Sequence, residues 1–441
     1  MINKTGDFMS YNEKFAKFGL MLPDILLPKK NINLNHWAVV ACDQYTSEED
    51  YWKKLSEEIG DDPSTLKIIY PEVYLERDDK ENRIEKINNT MERYIKENLF
   101  DEYKDSFILT ERNTESGTRY GLVAALDLED YDYSKDSKTL IRATEGTILS
   151  RIPPRKEIRG NAKLELPHIL VLISDEHRAI IEPLKDKRES LPLLYDFDLI
   201  AAGGHIKGYR VNDKESLDGI LAGFERLYSE LDPKNPLLFA MGDGNHSLAT
   251  AKSCWEDIKK NLSDEEKKHH PARYALVELE NIYDEGLQFE PIHRVFFNLK
   301  LSDFESLLAL TCKSFDKTEV KDKAEMLRKV NESGQHFGLA EGGKLFVYTV
   351  GGGEKQIAAG TMQLVIDRML EEKLGTVDYI HGVDVTLKLA EEKGNIGIIL
   401  PDVSKERFFS DMLKDGAYPR KTFSIGHANE KRFYMEARKI K

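Results

Sequence analysis

Cysteine is scarce. Cys42, Cys254 and Cys312 are the whole complement, odd in number and far apart. That excludes a disulfide framework or a Cys-x-x-Cys metal site and points to buried, unreactive thiols in a reducing compartment. No apolar run approaches the roughly 20 residues that a membrane helix needs. The N-terminal stretch MINKTGDFMSYNEKFAKFGLMLPDILLP has a short apolar patch, but Pro23 and Asp24 break it, and it is too polar for a signal sequence. The expectation is a cytoplasmic protein without a membrane partner. Positive charge is also short, since 64 Lys+Arg against 78 Asp+Glu leave a net −14. An acidic chain without a long basic run is a poor general binder of nucleic acid or anionic membrane. Repeats and low-complexity linkers are missing too, which excludes solenoids and propellers.

What is there is a chain of 441 residues, 40% hydrophobic, with room for two to four units or one large one. SEEDYWKKLSEEIG reads as a helix with Ser47 as N-cap and Gly60 as its stop; NRIEKINNTMERYIKENL puts Ile84, Ile87, Met91 and Ile95 on one face. SFILTE, RYGLVAALDL, HILVLIS, RAIIEPL and GHIKGYRV read as strands, with a basic loop before HILVLIS; DKESLDGILAGFERLYSEL reads as a helix. The texture changes near residue 300, where two helical stretches precede further strands. The predicted fold is α+β, with mixed sheets and flanking helices. It divides into an N-terminal lobe 1–300 and a C-terminal lobe 301–441 around one cleft, or forms one interleaved unit.

The most informative segment is Met241-Gly242-Asp243-Gly244-Asn245-His246-Ser247, between the strand PLLFAMG and the helix ATAKSCWEDIKKNL. Backbone N–H groups at such a helix start, with the positive end of its dipole, suit an anion. The glycines allow close approach or positive φ. Asp243 can hold Mg²⁺ or accept a hydroxyl proton, and His246 can donate to phosphate or act as an acid/base. The plain alternative is a capped turn, since Asp-Gly-Asn is ordinary turn chemistry. The box is neither a Walker A loop nor GxGxxG.

Supporting candidates are spread along the chain. Arg142, Arg151, Arg155, Lys156 and Arg159 form the main basic island, stiffened by Pro153-Pro154, and can clamp a phosphate or simply pair with surface acids. Asp43, before the Ser47 helix, is a second acid/base candidate. Gly203-Gly204-His205 more simply turns a corner into a strand. Gly351-Gly352-Gly353 reads as a hairpin tip rather than a phosphate cradle. His269-His270 lacks the spacing of a zinc hydrolase, and no GxSxG elbow occurs.

The Asp243 box, with Pro291-Ile292-His293-Arg294 and Pro419-Arg420-Lys421-Thr422 following in order, resembles the bacterial and archaeal family called domain of unknown function 1015. Members commonly read Asp-Gly-His-His-Arg at the first box and Pro-Thr-His-Arg at the second. This chain departs from them with Asn245 for the first histidine and Ser247 for the arginine. The first box is also similar to that of nucleotide-dependent free-serine kinases of the ParB/sulfiredoxin-like superfamily. Together the resemblances imply a nucleotide-dependent phosphotransferase for a small hydroxyl metabolite such as a free amino acid, using Mg²⁺ and ADP or ATP. Asp243 and His246 would be catalytic, with Asp243 also on the metal. Gly244, Asn245, Ser247, Arg142, Glu145, Arg151, Arg155, His293, Arg294, Arg420 and Lys421 would bind a small phosphate-containing ligand. A non-catalytic nucleotide-sensing protein and a phosphohydrolase are the alternatives.

Overall fold

The computed structural model describes residues 9–134, 136–355 and 357–441. The first eight residues, part of the N-terminal stretch considered above, lie outside these. The chain forms two compact units: one comprises the chain up to Ala143, Thr147–Gln288 and Gly426–Lys441, the other Thr144–Gly146 and Phe289–Ile425. The sequence expectation drew a boundary at 300, where the helical texture begins. The division instead falls before Phe289, because the strand starting there is central to the second unit's sheet, and the C-terminal tail belongs to the first unit.

The first unit is built on a mixed sheet. Its strands are β1 (Phe107–Thr114), β2 (Gly117–Asp127), β3 (Leu170–Ile173), β4 (Leu193–Asp198), β5 (His205–Val211), β6 (Phe239–Asp243) and β7 (Tyr274–Asn281). They run in the order β4–β5–β1–β2–β7–β3–β6, with β7 and β3 parallel and β3 and β6 antiparallel. Because side chains alternate between faces, the nearly continuous apolar run of β2 serves two cores. Leu122, Ala124 and Leu126 enter one, and Val123 enters the other.

Helices α1 (Glu49–Ile59) and α2 (Lys80–Lys96) bring Trp52, Leu55, Ile87 and Met91 to the Val123 side. Helix α3 (Ile152–Gly160) follows. On the Leu122 side, α4 (Lys214–Glu230) and α5 (Asn245–Ile258) supply Ile220, Phe224, Leu248 and Trp255.

Three local expectations differ. Ser47 does not cap α1, whose N-cap is Glu48 without a side-chain bond, although Gly60 does end it. The basic loop is in part α3: Pro153 and Pro154 stand in its first turn, where a missing N–H costs no intrahelical bond. RAIIEPL contributes the short helix Glu182–Asp186, for the same proline reason.

The second unit has an antiparallel sheet of β8 (Phe289–Phe297), β9 (Ser314–Val320), β10 (Gln335–Glu341), β11 (Lys344–Gly351), β12 (Thr376–His381) and β13 (Asn395–Ile399). Their order is β9–β11–β10–β13–β8–β12. Helices α6 (Leu301–Ala309) and α7 (Ala358–Glu371) pack Phe304, Met362 and Val365 on Phe337, Tyr348 and Ile398. The hairpin tip lies at Gly342-Gly343, both at positive φ, between β10 and β11. Gly351-Gly352-Gly353 is therefore not a tip; it leads from β11 toward α7. Among the described residues no helix is long and apolar enough to cross a membrane.

Candidate functional site

The candidate site of the first unit is built where β6 turns into α5. Gly244 takes φ +82°, and a Cβ there would stand 3.1 Å from the Ile169 Cα, so both conformation and space select glycine. Asp243, the last residue of β6, accepts the Gly244 N–H on Oδ1 at 2.9 Å. Its Oδ2 faces the Lys431 ammonium at 3.3 Å. An acid and a cation thus meet at the mouth of a helix that begins at once with Asn245, His246 and Ser247. His246 Nε2 accepts the Ile148 N–H at 3.3 Å, and its carbonyl accepts the Thr250 hydroxyl at 2.7 Å.

His168, just before β3, ties this turn to the C-terminal tail. Its Nε2 is 2.7 Å from Ser247 Oγ and its Nδ1 2.8 Å from Tyr434 Oη. Tyr434 Oη also accepts the Cys42 N–H at 3.1 Å, and burial pushes the phenol well above its ordinary range, so it stays neutral. His168 therefore bridges the hydroxyls of Ser247 and Tyr434, and its tautomer sets which of the two donates to the ring. Asp43 Oδ2 stands 3.9 Å from the same Nε2.

Glu72 and Arg155 complete the surroundings. Arg155 Nε donates to Glu72 Oε1 at 2.8 Å, and Arg155 Nη1 to the Arg151 carbonyl at 2.8 Å. Burial pushes the Glu72 carboxyl up, the Asp43 charge adds to this, and Arg155 opposes it. Burial also raises the Cys42 thiol, reinforced by Asp43 and Glu72. Cys254 and Cys312 are likewise raised by burial, and all three cysteines are free of disulfides. Arg151 is exposed. Arg142 is buried, and its guanidinium is held by the Thr139 carbonyl at 3.0 Å, Asn235 Oδ1 at 2.8 Å and the Pro236 carbonyl at 2.5 Å. Those bonds give Arg142 a structural task at the short strand Ile141–Arg142, which pairs with β6.

The remaining candidates belong to the second unit. Glu145 Oε1 accepts the Lys421 N–H at 3.1 Å. The Arg294 guanidinium and the Lys421 ammonium lie 4.6 and 4.8 Å from the centre of the Tyr379 ring. Arg294 is fully buried; its Nη1 reaches the Ile292 carbonyl, while Nε and Nη2 have no hydrogen-bond partner. Burial pulls Arg294 down to about 10. His293 is pulled down to about 4 by burial and then by the Arg294 charge, so it is neutral, and its Nδ1 accepts the Leu400 N–H at 3.2 Å. Arg420 is exposed.

Sequence reasoning singled out the 243–247 turn but missed the side chains that furnish it: His168, Tyr434, Lys431 and Glu72. No local pattern marks them, since each arrives through the tertiary fold. Among the described residues, no three His, Cys, Asp or Glu side chains converge as a metal cage. Around Asp243 the donor that a metal ion would meet is this one carboxylate, which already faces Lys431.

A mixed α+β chain whose strand–glycine–helix turn gathers an acid, a cation and a histidine–serine pair defines the class. The family follows from a direct match: the chain belongs to the family described as "Protein of unknown function (DUF1015)", whose model matches residues 26–369. No curated protein matches it. Among solved structures it is similar to a free serine kinase in complex with AMP, at 11% identity and a TM-score of 0.38, covering 72% of this chain and 92% of that one. It is also similar to a conserved hypothetical protein from Pyrococcus furiosus, at 13% identity and TM-score 0.35, covering 72% and 95%. A third, SbnI from Staphylococcus aureus, stands at 8% identity and TM-score 0.33, covering 69% and 82%.

Proposed function

We propose that the chain is a nucleotide-dependent phosphotransferase acting on a small hydroxyl metabolite. The observation that carries this reading is the start of α5. Its N–H groups and dipole, the Lys431 ammonium beside Asp243, and the hydroxyl and imidazole donors of Ser247 and His168 all surround one turn. Phosphoryl transfer needs mainly positioning and charge stabilisation, and this set supplies both. Asp243 would hold Mg²⁺ carried in by the nucleotide, and the ion would neutralise charge between its phosphates. Asp43, 3.9 Å from His168 Nε2, would take the proton of the acceptor hydroxyl, with His246 in the same turn.

Isothermal titration with ADP and ATP, with and without Mg²⁺, tests the reading. The expected result is Mg²⁺-dependent binding of one of them that weakens in Asp243→Asn. No binding by either, or full turnover in Asp243→Asn, overturns it. A second reading, a nucleotide sensor without chemistry, draws on one observation: both Asp243 oxygens already have partners, in the Gly244 N–H and Lys431. Nucleotide binding without transfer to any hydroxyl compound would decide for it.

A further inference from the structure

Next to the Ser247–His168–Tyr434 chain the first unit holds an open pocket of about 150 Å³ whose apolar walls the phosphate turn leaves unused. Its body is apolar: Ile69, Ile87, Met91, Ile158 and Leu276 line it from the loop before Tyr70, from α2, from α3 and from β7. Its polar lining is formed by His168, Ser247, Tyr434 and two ion pairs, Glu72–Arg155 and Glu165–Arg159. The pairs close at 2.8 and 2.5 Å, and the raised Cys42 thiol is uncharged, so the pocket offers no net charge to a charged side chain. Its size matches a branched aliphatic group or a single aromatic ring, since an apolar cavity of roughly 150 Å³ accommodates benzene. The polar lining offers a hydroxyl two partners, Ser247 Oγ and His168 Nε2, which stand 2.7 Å apart; Asp43 Oδ2 lies behind them, 3.9 Å from the same Nε2.

We propose that this pocket takes the apolar body of the phosphoryl acceptor, an alcohol or hydroxy acid with a branched aliphatic or monocyclic aromatic side chain, and holds its hydroxyl at His168 and Ser247, with Asp43 next to His168 as the proton acceptor. The proposal rests on the phosphotransferase reading for its chemistry. The acceptor oxygen forms a bond to the terminal phosphorus of the nucleotide. The bridging P–O bond breaks, its electrons leave with the shortened nucleotide, and the hydroxyl proton passes to the Asp43 carboxylate. Serine, with a polar one-carbon side chain, would leave the apolar wall unfilled, so this site selects against it.

The test is titration of the full chain with benzyl alcohol, isoamyl alcohol, glycerol and L-serine, each with and without saturating ADP. Benzyl and isoamyl alcohols are expected to bind and raise the unfolding temperature, with glycerol and serine at least tenfold weaker. Ala251→Leu, which fills the pocket from α5, should weaken the alcohols at least tenfold and leave ADP unchanged. If that variant does not fold, Ile158→Trp at a partly exposed position of α3 gives the same readout. Serine binding as tightly as benzyl alcohol, or neither apolar alcohol binding, overturns the proposal. Alcohol binding without any nucleotide binding keeps the pocket assignment and ends the phosphotransferase reading; nucleotide binding without alcohol binding does the reverse.

Discussion

Two strands of the molecule run through glycine into a helix, and the two helix starts are furnished differently. In the first unit β6 passes Gly244 into α5, and Asp43, His168, Lys431 and Tyr434 arrive from distant parts of the chain to surround the turn. In the second unit β11 leads through Gly352 toward α7. There the Gly360 and Thr361 N–H groups bond to the Ile357 carbonyl at 3.0 and 3.1 Å, the Thr361 hydroxyl donates to Gln335 Oε1 at 2.7 Å, and Asp402, Arg407 and Asp411 line a pocket beside Ala358. Both helices have the dipole, but Gly244 is the N-cap of α5 whereas Ile357 is that of α7. The lesson is that backbone geometry offers an anion a place, while imported side chains decide whether that place becomes a site.

The largest expected effect tests the turns themselves. Gly244→Ala forces a Cβ into the left-handed region and 3.1 Å from a backbone atom of Ile169. It should lower unfolding stability by about 3 kcal/mol. Gly352 is left-handed too, at φ +65°, but the nearest atoms to a Cβ there belong to the Lys313 side chain rather than to backbone, and Gly352→Ala should cost about 1–2 kcal/mol. Equal losses in urea unfolding would break the contrast. The next effect concerns the imported cation. Lys431→Met removes the partner of Asp243 and should weaken ADP binding by about 2 kcal/mol. Lys355→Met at the other start should leave it unchanged. The same titration calorimetry reads both.

The difference between the starts also separates what was legible in the sequence from what was not. β6, Gly244 and α5 could be read because a buried apolar run, a turn glycine and an amphipathic run are local signals. Gly351-Gly352-Gly353 was misread because glycines punctuate every kind of turn. The helix after them opens with Ala358-Ala359-Gly360, which has no cap signal. Pro153-Pro154 suggested a stiff loop, yet proline is also at home in a first helical turn. His168 and Tyr434 lie 79 and 187 residues from Ser247, and their meeting is a property of the sheet and the tail rather than of any motif. The family resemblance marked the box, but the histidine that bonds Ser247 became visible only in three dimensions.

The tail that delivers Lys431 has its own anchor, and pH should expose it. Burial alone would raise Glu430. The His427 N–H at 2.9 Å and the Ser116 N–H and hydroxyl, each at 2.8 Å, outweigh that and hold the carboxyl down at about 2. A carboxyl depressed in the folded state stabilises above its unfolded value of about 4.3, and the stabilisation is lost as pH falls through the folded value. Glu430→Gln should therefore cost about 1.5 kcal/mol above pH of about 5, and the gap from wild type should close between roughly pH 4 and 2. A gap that stays constant across that window would show that the carboxylate charge does not hold the tail.

The smallest effect is the most direct comparison of the two starts, because the third residue of α5 is Ser247 and that of α7 is Gly360. Ser247→Ala removes the hydroxyl that bonds His168 Nε2 at 2.7 Å and should cost about 1 kcal/mol of stability. The informative quantity is the coupling, because His168 is also held by Tyr434. In a double-mutant cycle with His168→Ala, most of the serine's loss should vanish once the histidine is gone, a coupling of about 1 kcal/mol. Independent, additive losses would mean that the two side chains merely sit near each other.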